Sequence, residues 1–229
     1  MSATIETSQR FWNEKAKENP YWYVSSYGPY DGRNLDDFWK SGLTIWDSLK
    51  GVTGYFPHGT VVEIGCGVGR ITRAIAKEVG HVIAFDLSRE MIEIAKQQSL
   101  ENVEFRLANE CRLGGLPDKS ADLVLAYCVF QHLPSIGHLR SYLREMVRVA
   151  KPGAVISFTV CPGDWRWKLL PLMRLKGFIK SKLRLQPPDL YRMEWLGIRP
   201  SAKEIQSACP VTLKSKALDP ERILYWGIA

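Results

Sequence analysis

No apolar run in this chain of 229 residues approaches the length of a membrane span, which argues against an integral membrane protein. The first residues, M-S-A-T-I-E-T-S-Q-R-F-W-N-E-K, lack the apolar stretch of a secretory signal, so none is expected. The five cysteines (Cys66, Cys111, Cys128, Cys161 and Cys209) are odd in number, scattered and without C-x-x-C pairing. That argues against a disulfide framework and against a zinc site, and it fits a cytoplasmic location. No His/Asp/Glu cluster has ligand spacing, so no metal is implied. Internal repeats and low-complexity tracts are missing too. Acidic residues are missing from one segment: between Trp165 and Gln186 lie Arg166, Lys168, Arg174, Lys176, Lys180, Lys182 and Arg184, with no Asp or Glu. Those seven charges match the net charge of +7, so the rest of the chain is nearly neutral.

What the chain does contain is an alternation of short apolar strands with helical patterns. Strands are expected at Thr60–Ile64, His81–Asp86, Val103–Leu107, Ala121–Tyr127 and Ala154–Thr159, with helices near Arg70–Glu78, Arg89–Ser99 and Ile136–Val149. Such alternation implies βαβ units and a parallel sheet. Ahead of it, helices are expected near Thr7–Glu18 and Leu35–Lys50, forming an N-terminal extension rich in Trp and Tyr. Behind it come the basic segment, a helix near Ser201–Ala208, and two strands, Val211–Ala217 and Arg222–Ile228, which suit an antiparallel edge pair.

The chemistry is concentrated around Val61–Arg70, V-V-E-I-G-C-G-V-G-R. A strand ends in an acid, Glu63, and three alternate glycines (Gly65, Gly67, Gly69) lead into a helix. Free backbone N–H groups and missing side chains let a polar ligand approach closely there. A dinucleotide fingerprint, G-x-G-x-x-G, places its third glycine at position 70, which here is Arg70. The second strand ends in Asp86, about twenty residues beyond the loop, where a carboxylate accepts both hydroxyls of a ribose. The alternative for Asp86 is a helix N-cap, a role Ser88 also fits.

The pattern acid-x-Gly-x-Gly-x-Gly resembles the first motif of class I S-adenosylmethionine (SAM) dependent methyltransferases, of the small-molecule type. Two further stretches resemble that family: A-D-L-V-L-A-Y-C-V-F-Q-H-L-P at the fourth strand, and L-R-E-M-V-R-V-A-K-P-G-A-V-I-S-F into the fifth. The resemblance covers roughly residues 55 to 160 in the correct order. It implies a Rossmann-like α/β fold: a doubly wound, mostly parallel seven-stranded sheet with helices on both faces. It also implies one methyltransferase domain, with a helical cap (1–55), a cofactor-binding core (56–160), a basic substrate lid (161–200) and a final helix and strands (201–229).

The resemblance further implies SAM as cofactor and S-adenosylhomocysteine as product. Glu63, Gly65, Cys66, Gly67, Gly69 and Arg70 would surround the methionine end, and Asp86 the ribose. Leu87, Asn109 and Glu110 would flank the adenine, Met91 would be a further cofactor contact, and Tyr127 would border the methyl group. Asn109 stands where the family commonly has Asp, and its amide oxygen still accepts a hydrogen bond. Tyr21, Tyr23, Gln131 and Trp165 are candidate acceptor contacts. His132, in the loop after the fourth strand, is the candidate general base, and packing of that loop is its alternative role. The partner implied is a small-molecule acceptor methylated at oxygen or nitrogen, anionic or lipid-like. Residues 126–129 lack the D/N-P-P-Y/F motif of nucleic-acid amino-methyltransferases, so nucleic acid is not expected. The basic segment reads as a lid, as an anion-recognising element, or as a peripheral contact with anionic membrane. Two rival functions stay open: an NAD(P)-dependent oxidoreductase, and a non-catalytic binding protein on the same scaffold.

Overall fold

Val61 and Val62 are neighbours in sequence yet enter different cores, and that alternation explains the layering of the molecule. The structure, a computed structural model, describes residues 4–25, 35–109, 111–161, 197–219 and 222–229. The strands β1 (Thr60–Ile64), β2 (His81–Asp86), β3 (Val103–Leu107), β4 (Ala121–Ala126), β5 (Ala150–Val160), β6 (Lys214–Asp219) and β7 (Arg222–Ile228) form one sheet in the order β3-β2-β1-β4-β5-β7-β6. The first five run parallel, and β7 pairs antiparallel with both β5 and β6.

Val61, Val82, Ala84, Leu123 and Leu125 face a core shared with α3 (Asp36–Thr53), α4 (Thr72–Ile75) and α5 (Arg89–Lys96). Their neighbours Val62, Ile64, Ile83, Phe85, Val124 and Ile156 face the opposite core, built with α6 (Ile136–Val149) and α7 (Ala202–Ala208). Both faces of the sheet are therefore covered, as its nearly continuous apolar strands require. The expected doubly wound, mostly parallel sheet is the one observed.

The helices α1 (Ile5–Glu18) and α2 (Pro20–Ser25) join α3 in a cap, where Ala16 and Phe38 pack on Val68 of the glycine loop and Met91 of α5. Several elements depart from the sequence expectation. The helix expected over residues 70–78 is regular only over Thr72–Ile75. Beyond it Lys77 N–H bonds Ala74 O and Glu78 N–H bonds Ile75 O, an i→i−3 winding tighter than α. The helix expected to reach Ser99 stops at Lys96, and Ser99 turns left-handed at φ 51°. Strand β6 starts three residues late because the Gln206 side chain ties up Val211 O and Leu213 N–H. Helix α2, too short to show a period, was not expected.

Candidate functional site

The glycine loop is a folded clasp. Gly65 N–H and Cys66 N–H both donate to Phe85 O, at 2.7 and 2.9 Å, fastening the end of β1 to the end of β2. Gly65, Gly67 and Gly69 take φ of 73°, 55° and 83°, a region that side chains disfavour. Asp86 closes the clasp: one carboxylate oxygen accepts Gly67 N–H at 2.7 Å and the other Ser88 N–H at 2.8 Å. The cap of α5 is Ser88, whose Oγ accepts Met91 N–H, so Asp86 is not needed as the N-cap.

This clasp borders a cavity of about 270 Å³ at the carboxyl edge of β1, β2 and β4. Of the sequence-predicted residues, Glu63, Gly65, Cys66, Gly67, Arg70, Asp86, Leu87, Met91 and Tyr127 line it, with Tyr23, Gln131 and His132. Gly69 does not line it. A side chain there would strike Gln98, which packs behind the loop. Asn109 faces a neighbouring hollow on the far side of Leu87 and Ala108. Tyr21 stands away from the cavity, edge-on to Phe38 at 5.3 Å and to Trp39 at 6.4 Å within the cap core. Trp165, Glu110 and the whole basic segment lie outside the described residues.

Glu63 points to the α4 face, where its carboxylate accepts the Thr72 hydroxyl at 2.6 Å. Burial pushes its pKa up to about 7, against the pull of that hydrogen bond, and the nearby Asp86 charge adds to the rise. Burial likewise raises Asp86, opposed by its backbone N–H bonds, and drives the Cys66 thiol well up, so that Cys66 stays protonated. Arg70 is turned toward the cap, donating to Ser41 Oγ and Val24 O, each at 3.2 Å. His132 sits on a 3₁₀ turn (Phe130–His132) with its ring edge-on to Trp12 of α1 at 5.1 Å.

Several wall residues carry no sequence signal. Ser8 and Trp12 come from α1, and Arg199 and Arg222 from the far end of the chain. Arg222 donates from Nη1 to the Tyr127 hydroxyl at 2.7 Å and from Nε to Asp219 at 2.6 Å. Burial pushes Tyr127 up to about 12, so it keeps its proton. Among the described residues, the buried wall atoms Ser8 Oγ and Gln131 Oε1 have no hydrogen-bond partner. A wall with orphaned polar atoms suits a polar ligand. Among the described residues no group of His, Cys, Asp or Glu is placed to hold a metal ion, and no helix is long and apolar enough to cross a membrane.

Comparison with known proteins agrees with this geometry. Residues 62–158 match the family model described as a methyltransferase domain. The ubiquinone biosynthesis O-methyltransferase of Hahella chejuensis is 26% identical over 170 residues, which are 65% of this chain and 70% of that protein. The demethylmenaquinone methyltransferase of Tropheryma whipplei (strain Twist) is 34% identical over 135 residues, 54% of this chain and 51% of that one. The chain thus spans 70% of the length of the first of these curated relatives and about half of the second. Among solved structures, the DhpI-SAM-HEP complex superposes with a TM-score of 0.64 at 19% identity, over 99% of this chain and 98% of that one. Magnesium protoporphyrin IX methyltransferase (ChlM) from Synechocystis PCC 6803 with bound SAH gives 0.62 at 16% identity, over 96% and 97%. At these identities the superpositions speak for the fold. Over residues 62–158 the chain carries a methyltransferase domain, and its fold is that of the methyltransferases on which it superposes. The cofactor of that family is SAM.

Proposed function

We propose that this protein transfers the methyl group of SAM to an oxygen or nitrogen of a small-molecule acceptor in the cytoplasm. The observation that carries the reading is the clasp: three glycines with positive φ, closed by the Asp86 carboxylate at the edge of one cavity. Relatives named for ubiquinone biosynthesis and for demethylmenaquinone support a small-molecule acceptor. The glycine pattern, with Arg70 at the position of a dinucleotide glycine, disfavours the oxidoreductase alternative.

In this reading the donor supplies an electrophilic methyl group, and the chain supplies position. Glu63 and the loop from Gly65 to Gly67 receive the methionine end, with Gln131 Oε1 and Ser8 Oγ, unpaired among the described residues, on the wall. Asp86 receives the ribose hydroxyls, while Leu87 and Met91 of the wall flank the adenine. Methyl displacement needs in-line placement of the acceptor more than acid–base help. An aliphatic hydroxyl must also lose its proton, and His132 at the cavity wall is placed to take it. Replacing His132 with Ala should then lower the rate of turnover. Unchanged turnover at every pH would reduce His132 to a packing residue.

The seat of the donor is tested by Asp86→Ala. Loss of charge-assisted hydrogen bonds to a ribose weakens S-adenosylhomocysteine binding about ten- to a hundredfold. Calorimetry reads this directly, and undiminished affinity in a folded variant counts against the assignment.

A further inference from the structure

Acidic groups are unevenly spread along the cavity wall. Over β1 and β2 it presents the carboxylates of Glu63 and Asp86 together with Arg70, whose guanidinium is turned to Ser41 and Val24. Over β4, β5 and β7 the described wall residues include Tyr127, Gln131, His132, Cys161, Arg199 and Arg222, and none of this group is acidic. The register explains how a residue from the end of the chain arrives there. Val160 pairs with Ile223 across the antiparallel β5–β7 ladder, which sets Arg222 beside Cys161 at the same sheet edge as the glycine loop.

Both guanidinium groups are held in place. Arg222 is fixed between Asp219, which stands outside the wall, and the hydroxyl of Tyr127. Arg199 donates from Nη1 to Gln131 O at 3.1 Å and to Ile198 O at 2.8 Å. Its approach depends on Gly197, because any side chain at that position would strike the backbone of Gln131 and His132. The Tyr127 oxygen accepts from Arg222, which leaves its own proton to donate into the cavity. Neither Arg199 nor Arg222 lies within residues 62–158, the stretch that matches the family. They are therefore placed to select the acceptor, while the shared stretch seats the donor.

We propose that Arg199, Arg222 and the Tyr127 hydroxyl form an oxyanion subsite, so that the acceptor carries a carboxylate or a phosphate-type group. A planar guanidinium matches such a group with two parallel charge-assisted hydrogen bonds. This inference rests on the donor seat proposed above, because the subsite occupies the remainder of the same cavity.

The test is calorimetric titration of the full chain, saturated with S-adenosylhomocysteine, using inorganic phosphate and benzoate as probes at low salt. At least one probe should bind the wild type, and Arg199→Gln and Arg222→Gln should each weaken it about tenfold. S-adenosylhomocysteine affinity should stay within about threefold in both variants. If Arg222→Gln fails to fold, leaving Asp219 without its partner, Arg199→Gln carries the test alone. Failure of both probes to bind overturns the subsite. So does equal binding by the wild type and the variants, which puts the anion elsewhere on the chain. Failure of S-adenosylhomocysteine itself to bind overturns the donor seat, and this inference with it.

Discussion

At the scale of single residues, the carboxyl group of Glu63 is 2% exposed and hydrogen-bonded to Thr72, and burial holds its pKa near 7 instead of 4.5. A folded-state value above the unfolded one means that folding favours the protonated form. The associated stability is fully present below about 4.5 and is lost as the pH rises through about 7. Cofactor-free wild type should therefore lose roughly 2–3 kcal/mol between pH 5 and pH 8 that Glu63→Gln does not lose. Urea denaturation at the two pH values checks this, and parallel losses in both proteins would contradict it. Glu63 and Asp86 were legible in the sequence because each ends a strand beside the glycine run. Ser8, Arg199 and Arg222 were not, because only the folded chain brings them to the loop from more than fifty residues away. Tyr21 misled for a related reason: aromatic content marks the cap, but only packing decides which rings face the cavity.

The elements around the loop are coupled through contacts as short as the glycines permit. A side chain at Gly67 would bring its Cβ to 2.6 Å from Val24 Cγ2 of α2, at a φ of 55°. Gly67→Ala should cost about 1–3 kcal/mol through backbone strain and displacement of α2. Adding Val24→Ala should recover the steric part and leave the backbone part. Denaturation midpoints of the two single variants and the double variant measure it. A neutral Gly67→Ala would mean that α2 does not sit on the loop. The strand starts of β1, β2 and β3 were legible to the residue, since buried parallel strands write themselves as short apolar runs. Helix α4 was overestimated because its apolar periodicity continues past the point where the backbone tightens into i→i−3 turns. The early part of β5 was missed because Pro152 and Gly153 read as a turn, although Ala150 already pairs with Ala121 across an irregular register.

Across the whole molecule, the parallel order β3-β2-β1-β4-β5 gathers the glycine loop, Asp86 and the Q-H-L-P turn at one edge of the sheet. The antiparallel return of β7 adds Arg222 to that edge. The fold and the position of the glycine loop at the sheet edge could be read from the sequence because they depend on local motifs in a fixed order. Ser8, Arg199 and Arg222 come from the two ends of the chain, which meet only across the finished sheet. The family match respects the same division, covering residues 62–158 and leaving both ends outside it. The account stands on the identity of the donor. Titration calorimetry of the full chain with SAM, S-adenosylhomocysteine and NADPH tests it most directly. We predict saturable one-site binding of the first two, weakened by Asp86→Ala, and none of NADPH; tight NADPH binding without SAM binding would contradict the account.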